Sequence, residues 1–133
     1  DRLVPLLAAA KTKNLFLRDD KGKRVFLVIV PGHKHVDLKI LKDRMGIKRI
    51  SFGSPERMIK HLGIEPGAVS ILALYNDKAH AVELFMDQEL WASDSFQCHP
   101  LVNTATLEIT RENLRRFLEI TGHGMKLIQV PGR

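Results

Sequence analysis

Thr12-Lys13-Asn14-Leu15-Phe16-Leu17-Arg18 and Arg24-Val25-Phe26-Leu27-Val28-Ile29-Val30, joined by Asp19-Asp20-Lys21-Gly22-Lys23, decide how this chain folds. Two apolar runs flank a short Asp/Lys-rich linker carrying one glycine, which predicts two strands and an antiparallel hairpin. A pair of antiparallel strands disfavours a purely parallel, doubly wound sheet. Lys13 and Asn14 stand where the first strand begins. An ammonium donor beside a bifunctional amide suits recognition of phosphate, carbonyl or hydroxyl oxygens. Successive strand residues point to opposite faces, so the two can serve one site only at a sheet edge or strand end.

Outward from the hairpin, apolar runs alternate with helix signals. Leu3–Ala10, rich in Leu and Ala, reads as the end of a helix. Pro31-Gly32 ends the second strand. Asp37 is placed to cap a helix over Leu38–Met45, with Gly46 as its stop. A short strand, Arg49–Phe52, follows, and Ser54-Pro55 opens a helix that runs to Leu62 before Gly63. Val69–Leu74 and Ala79–Met86 read as strands separated by a turn at Asn76-Asp77. Leu107–Ile109 is a further strand, Thr110 caps a helix over Arg111–Ile120, and Met125–Val130 is an edge-strand candidate. The expected architecture is one α/β domain, residues 1–133, with a mixed central sheet flanked by helices.

The 133 residues are 44% hydrophobic with a mean hydropathy of −0.10, the profile of a globular domain with a real core. No apolar run approaches the ~20 residues that span a bilayer, so no membrane association is expected. The single cysteine, Cys98, excludes an internal disulfide and a multi-cysteine zinc site, and fits a cytoplasmic protein. Net charge is +6 with a pI near 9.7. Between Lys34 and Lys60, eight basic residues stand against three acidic ones, a local charge of +5. Such a patch is the usual footprint of a phosphate backbone, and an ordinary solvated helix face is the competing reading.

A second polar cluster, Cys98-His99-Pro100-Leu101-Val102-Asn103-Thr104, lies far downstream. Pro100 holds His99 extended, and its imidazole suits proton relay or hydrogen bonding near neutral pH. Cys98 and His99 are neighbours in an extended segment and point apart, which argues against a Cys–His nucleophile. His33-x-His35 is the one close histidine pair and has no evident third ligand, so no metal is expected. No glycine-rich phosphate loop of the P-loop or dinucleotide type occurs. Gly67-Ala68-Val69-Ser70 could wall a small pocket or simply turn into a strand.

Four motifs in order, Lys13 to Asp19, Val36 to Lys39, Gly67 to Ser70 and His99 to Thr106, resemble the YbaK/prolyl-tRNA-synthetase-associated editing domains. The likeness runs from about Lys11 to Ile120 and is greatest to the free-standing ProX/PrdX branch, which removes alanine wrongly attached to proline tRNA. The resemblance implies a mixed α/β fold and metal-independent, cofactor-free hydrolysis of the ester at the tRNA 3′ end. It implies that Lys13 anchors the terminal nucleotide and substrate, with Asn14 as its branch-typical neighbour. His99 corresponds to the histidine of the HPxxNT segment, whose Asn103 and Thr104 also fall at the substrate, and Gly67, Ala68, Val69 and Ser70 to the loop bounding the amino-acid pocket. Arg18, Lys48 and Arg49 are the expected grip on the acceptor stem. tRNA is the expected partner, with prolyl-tRNA synthetase as a second. Other mischarged tRNAs, carrying Cys or Ser, and a non-catalytic tRNA-binding module are the alternatives. Two departures stand out: Ile71 follows Ser70 where the branch usually carries Pro, and the helical lead-in before Lys13 is only partly present, so part of the N-terminal region is expected to be missing.

Overall fold

A computed structural model describes residues 10–21, 23–63, 71–98 and 107–132. The hairpin forms as expected. Strand β1 (Thr12–Asp19) pairs antiparallel with β2 (Val25–Pro31), placing Lys13 opposite Val30 and Asn14 opposite Ile29. The turn is secured when Asp19 N–H donates to the Arg24 carbonyl at 3.1 Å and Arg24 N–H to Asp19 Oδ1 at 3.2 Å. β2 is buried along its whole length, which explains its unbroken apolar sequence.

β3 (Ile50–Phe52) lies antiparallel on the other side of β1 but reaches only Leu17, Arg18 and Asp19. β4 (Val82–Asp87) runs parallel to β2, and β7 (Met125–Ile128) runs parallel to β4. The sheet order is β3-β1-β2-β4-β7, mixed as expected, with the predicted edge strand at the C-terminal side. Sheet alternation divides the core. Phe16, Leu27, Ile29, Leu84 and Met86 pack on one face, and Leu17, Phe26, Val28, Val30 and Phe85 on the other.

The helices start and stop where the caps predict. In α1 (Leu38–Met45) Asp37 Oδ1 accepts from Lys39 N–H at 3.0 Å and Ile40 N–H at 3.2 Å, and Gly46 ends it at φ 75°. Ser54 caps α2 (Pro55–Leu62), and Thr110 caps α4 (Arg111–Thr121). Leu41 of α1 covers the Leu17/Val28 face, while Leu62 of α2 and Leu114 and Leu118 of α4 cover the other. Each fully buried leucine contributes about 1.5–3 kcal/mol.

Three readings need correction. The expected strand Val69–Leu74 is, over its described part, a 3-10 helix at Ile71–Asn76 that buries Ile71, Ala73 and Leu74. A short apolar run carries no period that separates the two states. The expected strand from Ala79 begins only at Val82, because the Asp77 carboxylate takes the N–H groups of Ala81 and Val82 and holds a turn with His80 at φ 54°. Between Asp87 and Leu107 the sequence suggested no element. Asp87 instead caps a short helix, α3 (Gln88–Trp91), and β5 (Ser95–Cys98) pairs antiparallel with β6 (Leu107–Thr110) in a second small sheet. Of the helix expected at Leu3–Ala10, only Ala10 is among the described residues; it bridges to Phe96.

The chain after β7 folds back as a clasp. Arg44 Nη1 donates to Gln129 O at 2.6 Å, Lys34 Nζ to Val130 O at 3.0 Å and Asp37 N–H to Pro131 O at 2.9 Å, while Gly132 bridges to Val36. Among the described residues no helix is long and apolar enough to cross a membrane.

Candidate functional site

Lys13 and Asn14 lie in the half of β1 that β3 does not reach, so β1 is there the outermost strand of its sheet. Alternation turns them to opposite faces. Lys13 lines an open cleft of about 590 Å³ with Leu15, His35, Leu38, Lys39 and Phe52. Its ammonium donates to the backbone carbonyl of Lys34. Asn14 borders a small cavity on the other face, shared with Ile71, Phe96, Gln97 and Ile109.

That second cavity joins segments far apart in sequence. Ala10 N–H donates to Ser95 O at 3.0 Å, Gln97 N–H to Ala10 O at 2.7 Å, and Thr12 Oγ1 to Gln97 O at 2.7 Å. The strand leading to His99 is thus fastened beside the strand leading to Lys13. Cys98 pairs with Leu107, which fixes both ends of the 99–106 connection. Ile71, the first described residue after Gly67-Ala68-Val69-Ser70, enters the same cavity. His99, Asn103, Thr104 and residues 67–70 themselves lie outside the described residues.

The expected acceptor-stem contacts sit at the far end of β1. Arg18 is opposite Ser51 of β3, and its Nη1 donates to Asp19 O at 3.0 Å. Lys48 and Arg49 are exposed in the approach to β3. Five strand residues separate Lys13 from Arg18, about 17 Å at the usual rise.

Sequence reasoning missed the charged cluster behind Lys13. Lys34 Nζ donates to Asp87 Oδ2 at 2.7 Å and lies 3.2 Å from Glu89 Oε1, in addition to its bond to Val130 O. The Asp87 side chain is 1% exposed and that of Lys34 is 13% exposed. Burial works to lower the Lys34 pKa, but the bonds to Asp87 and Glu89 outweigh it, and the ammonium is held above its ordinary 10.5. The cluster stands at the carboxyl ends of β2 and β4, the end of the parallel strands where open α/β sheets place their ligands. A lysine between two histidines and an aspartate closing a strand were the only local signs of it.

A second buried pair lies on the Asn14 side of the molecule but away from these cavities. His123 Nε2 is 2.9 Å from Asp77 Oδ2, and its Nδ1 is 2.9 Å from Thr121 Oγ1. It ties the β4 turn to the end of α4.

Residues 2–117 match the family model described as the aminoacyl-tRNA editing domain. The prolyl-tRNA editing protein ProX of Acetoanaerobium sticklandii is 36% identical over 118 residues, covering 89% of this chain and 72% of the relative. Prolyl-tRNA synthetase associated domain-containing protein 1 of Danio rerio is 38% identical over 122 residues, covering 90% of this chain and 66% of that protein. The chain therefore spans about two thirds to three quarters of these relatives. A crystal structure described as that of a trans-editing enzyme candidate for prolyl tRNA synthetase superposes with a TM-score of 0.71 at 17% identity, over 99% of this chain and 76% of the other, a likeness of fold. With a family model covering most of its length and relatives above 30% identity, the chain belongs to the aminoacyl-tRNA editing domain family.

Proposed function

We propose that this chain is a trans-editing deacylase that hydrolyses the ester of mischarged tRNA, with Ala-tRNA(Pro) as its substrate. The observation that supports the reading is the cavity bordered by Asn14, Ile71 and Gln97, where the start of β1, the residue after Ser70 and β5 meet. The relatives named for prolyl-tRNA editing support the choice of tRNA. On this reading residues 1–133 form one editing domain, acting in the cytoplasm on tRNA released by prolyl-tRNA synthetase.

The terminal nucleotide lies on the Lys13 face, and the aminoacyl group reaches round the outermost edge of β1 to the Asn14 face. Lys13 supplies positive charge to the nucleotide. Gly67, Ala68, Val69 and Ser70 bound the amino-acid pocket, and His99, Asn103 and Thr104 hydrogen-bond the aminoacyl part. Water adds to the ester carbonyl, the developing oxyanion is held by positioned donors, and the bond to the ribose oxygen breaks as that oxygen takes up a proton. Free amino acid and uncharged tRNA leave. A synthetase pocket separates side chains differing by one methylene by only ~1–3 kcal/mol, so a second pocket that admits alanine and excludes proline is needed. Arg18, Lys48 and Arg49 hold the acceptor stem.

A panel of mischarged tRNAs tests the proposal. Ala-tRNA(Pro) is expected to be deacylated fastest, and Lys13→Ala is expected to abolish turnover with the fold intact. Turnover of Cys- or Ser-tRNA instead would change the substrate, and no turnover with retained tRNA binding would leave a binding module.

A further inference from the structure

The Lys13 cleft combines basic and aromatic groups. Lys13, His35 and Lys39 line it together with Phe52, which is 60% exposed. Phe52 is registered opposite Leu17 on the face that Lys13 and Leu15 share, so four residues of strand, about 13 Å, separate Lys13 from the Phe52 position. Leu15, Val36 and Leu38 supply the cleft's apolar lining. The one carboxylate in the cleft, Asp37, is committed to the first N–H groups of α1. An exposed aromatic face beside a cationic groove is the arrangement on which unpaired bases stack.

We propose that the unpaired nucleotide preceding the terminal one at the tRNA 3′ end lies in this cleft with its base stacked on Phe52. This rests on the reading of the chain as acting on a tRNA 3′ end, and adds a base contact at a position beyond the nucleotide that Lys13 anchors. Stacking accepts any base, so the contact contributes affinity and register without restricting sequence. Phe52 lies outside the buried core, so its replacement leaves the fold in place.

The test combines Phe52→Ala with a minihelix whose penultimate nucleotide lacks its base. Binding of the uncharged minihelix is read by fluorescence anisotropy, and deacylation of the Ala-charged form by kcat and KM. Either change alone is expected to weaken binding and raise KM roughly ten-fold with kcat unchanged, in line with the usual cost of losing one stacked base. The two together should weaken binding no further than one, and Phe52→Tyr should restore it. Changes that multiply, or a Phe52→Ala variant within two-fold of the parent, overturn the proposal. If no charged tRNA is turned over but binding still depends on Phe52 and the penultimate base together, the deacylase reading fails and the stacking contact stands. If turnover is intact and Phe52 is neutral, the reverse holds.

Discussion

Replacing Asp87 by alanine should be among the most damaging single changes in the molecule. Asp87 is 1% exposed and engages Lys34 Nζ at 2.7 Å and Glu89 N–H at 3.1 Å. Removing one partner of a buried ion pair costs about 3–5 kcal/mol, because the other charge stays buried. Lys34 retains Glu89, but that carboxylate is 57% exposed and is worth at most about 1 kcal/mol. The low end of the range, about 3 kcal/mol, therefore applies to the pair. Loss of the cap on α3 adds about 1 kcal/mol, for roughly 4 in all. With a urea slope near ~2 kcal/mol per molar, the unfolding midpoint should fall by about 2 M. Changing both members, as Lys34→Met with Asp87→Leu, should recover most of the loss, since an apolar pair of similar volume is often neutral there. The raised Lys34 pKa sets the alkaline limit: its contribution is present at pH 10.5 and is lost as pH rises through the higher folded value. On raising the pH from 7, the gap between parent and Lys34→Met should accordingly narrow only above pH 10.5. A midpoint shift under 0.5 M for Asp87→Ala, taken as about 1 kcal/mol, refutes this account of the cluster.

Gly53→Ala would set a Cβ 2.4 Å from the buried Phe16 ring and should cost about 1–3 kcal/mol in chemical unfolding, with Phe16→Leu relieving part of it. Asp77→Ala orphans the N–H groups of Ala81 and Val82 and Nε2 of the His123 ring, so a loss of about 3 kcal/mol is expected, and Asp77→Asn should lose less because one oxygen still accepts. Arg24 donates twice to Glu83 at 2.8 Å and, against the opposing effect of burial, holds its pKa below the ordinary 4.5. That stabilisation is present above pH 4.5 and lost as pH falls through the lower folded value, so Glu83→Gln should cost at most about 1 kcal/mol at pH 7 and nothing at pH 2.

Local chemistry was legible in the sequence where it acts locally. Asp37, Ser54 and Thr110 cap the helices they precede, and Gly46, Gly63 and Gly122 end them in the left-handed conformation that glycine tolerates. The β1–β2 hairpin followed from its turn-like linker between two apolar runs, and the opposed faces of Lys13 and Asn14 from strand alternation. Contacts between distant segments did not. Lys34 and Asp87 are 53 residues apart, and each had a sufficient local reading as a basic-patch lysine and a strand stop. The Asp77 carboxylate overrode the apolar run from Ala79 by taking two backbone donors into a turn. The pairing of β5 with β6 was hidden because Ser95–Cys98 is too short for two-residue alternation to stand out. Lys13 stood out in the sequence, but the group that accepts its hydrogen bond, the Lys34 carbonyl, is a backbone atom no motif encodes.

The C-terminal clasp also imposes an order of assembly. Residues 129–132 hold the loop bearing the Lys34 carbonyl and the start of α1, and they follow β7, whose partner β4 is made long before it. On the ribosome the hairpin can form early, yet the seat of the Lys13 ammonium stays unfastened until residues 129–132 have emerged, after the acidic and basic partners of the cluster already exist. A chain lacking residues 129–132 should keep the β1–β2 core with a loosened Lys34 loop, visible as faster amide exchange concentrated in residues 32–37.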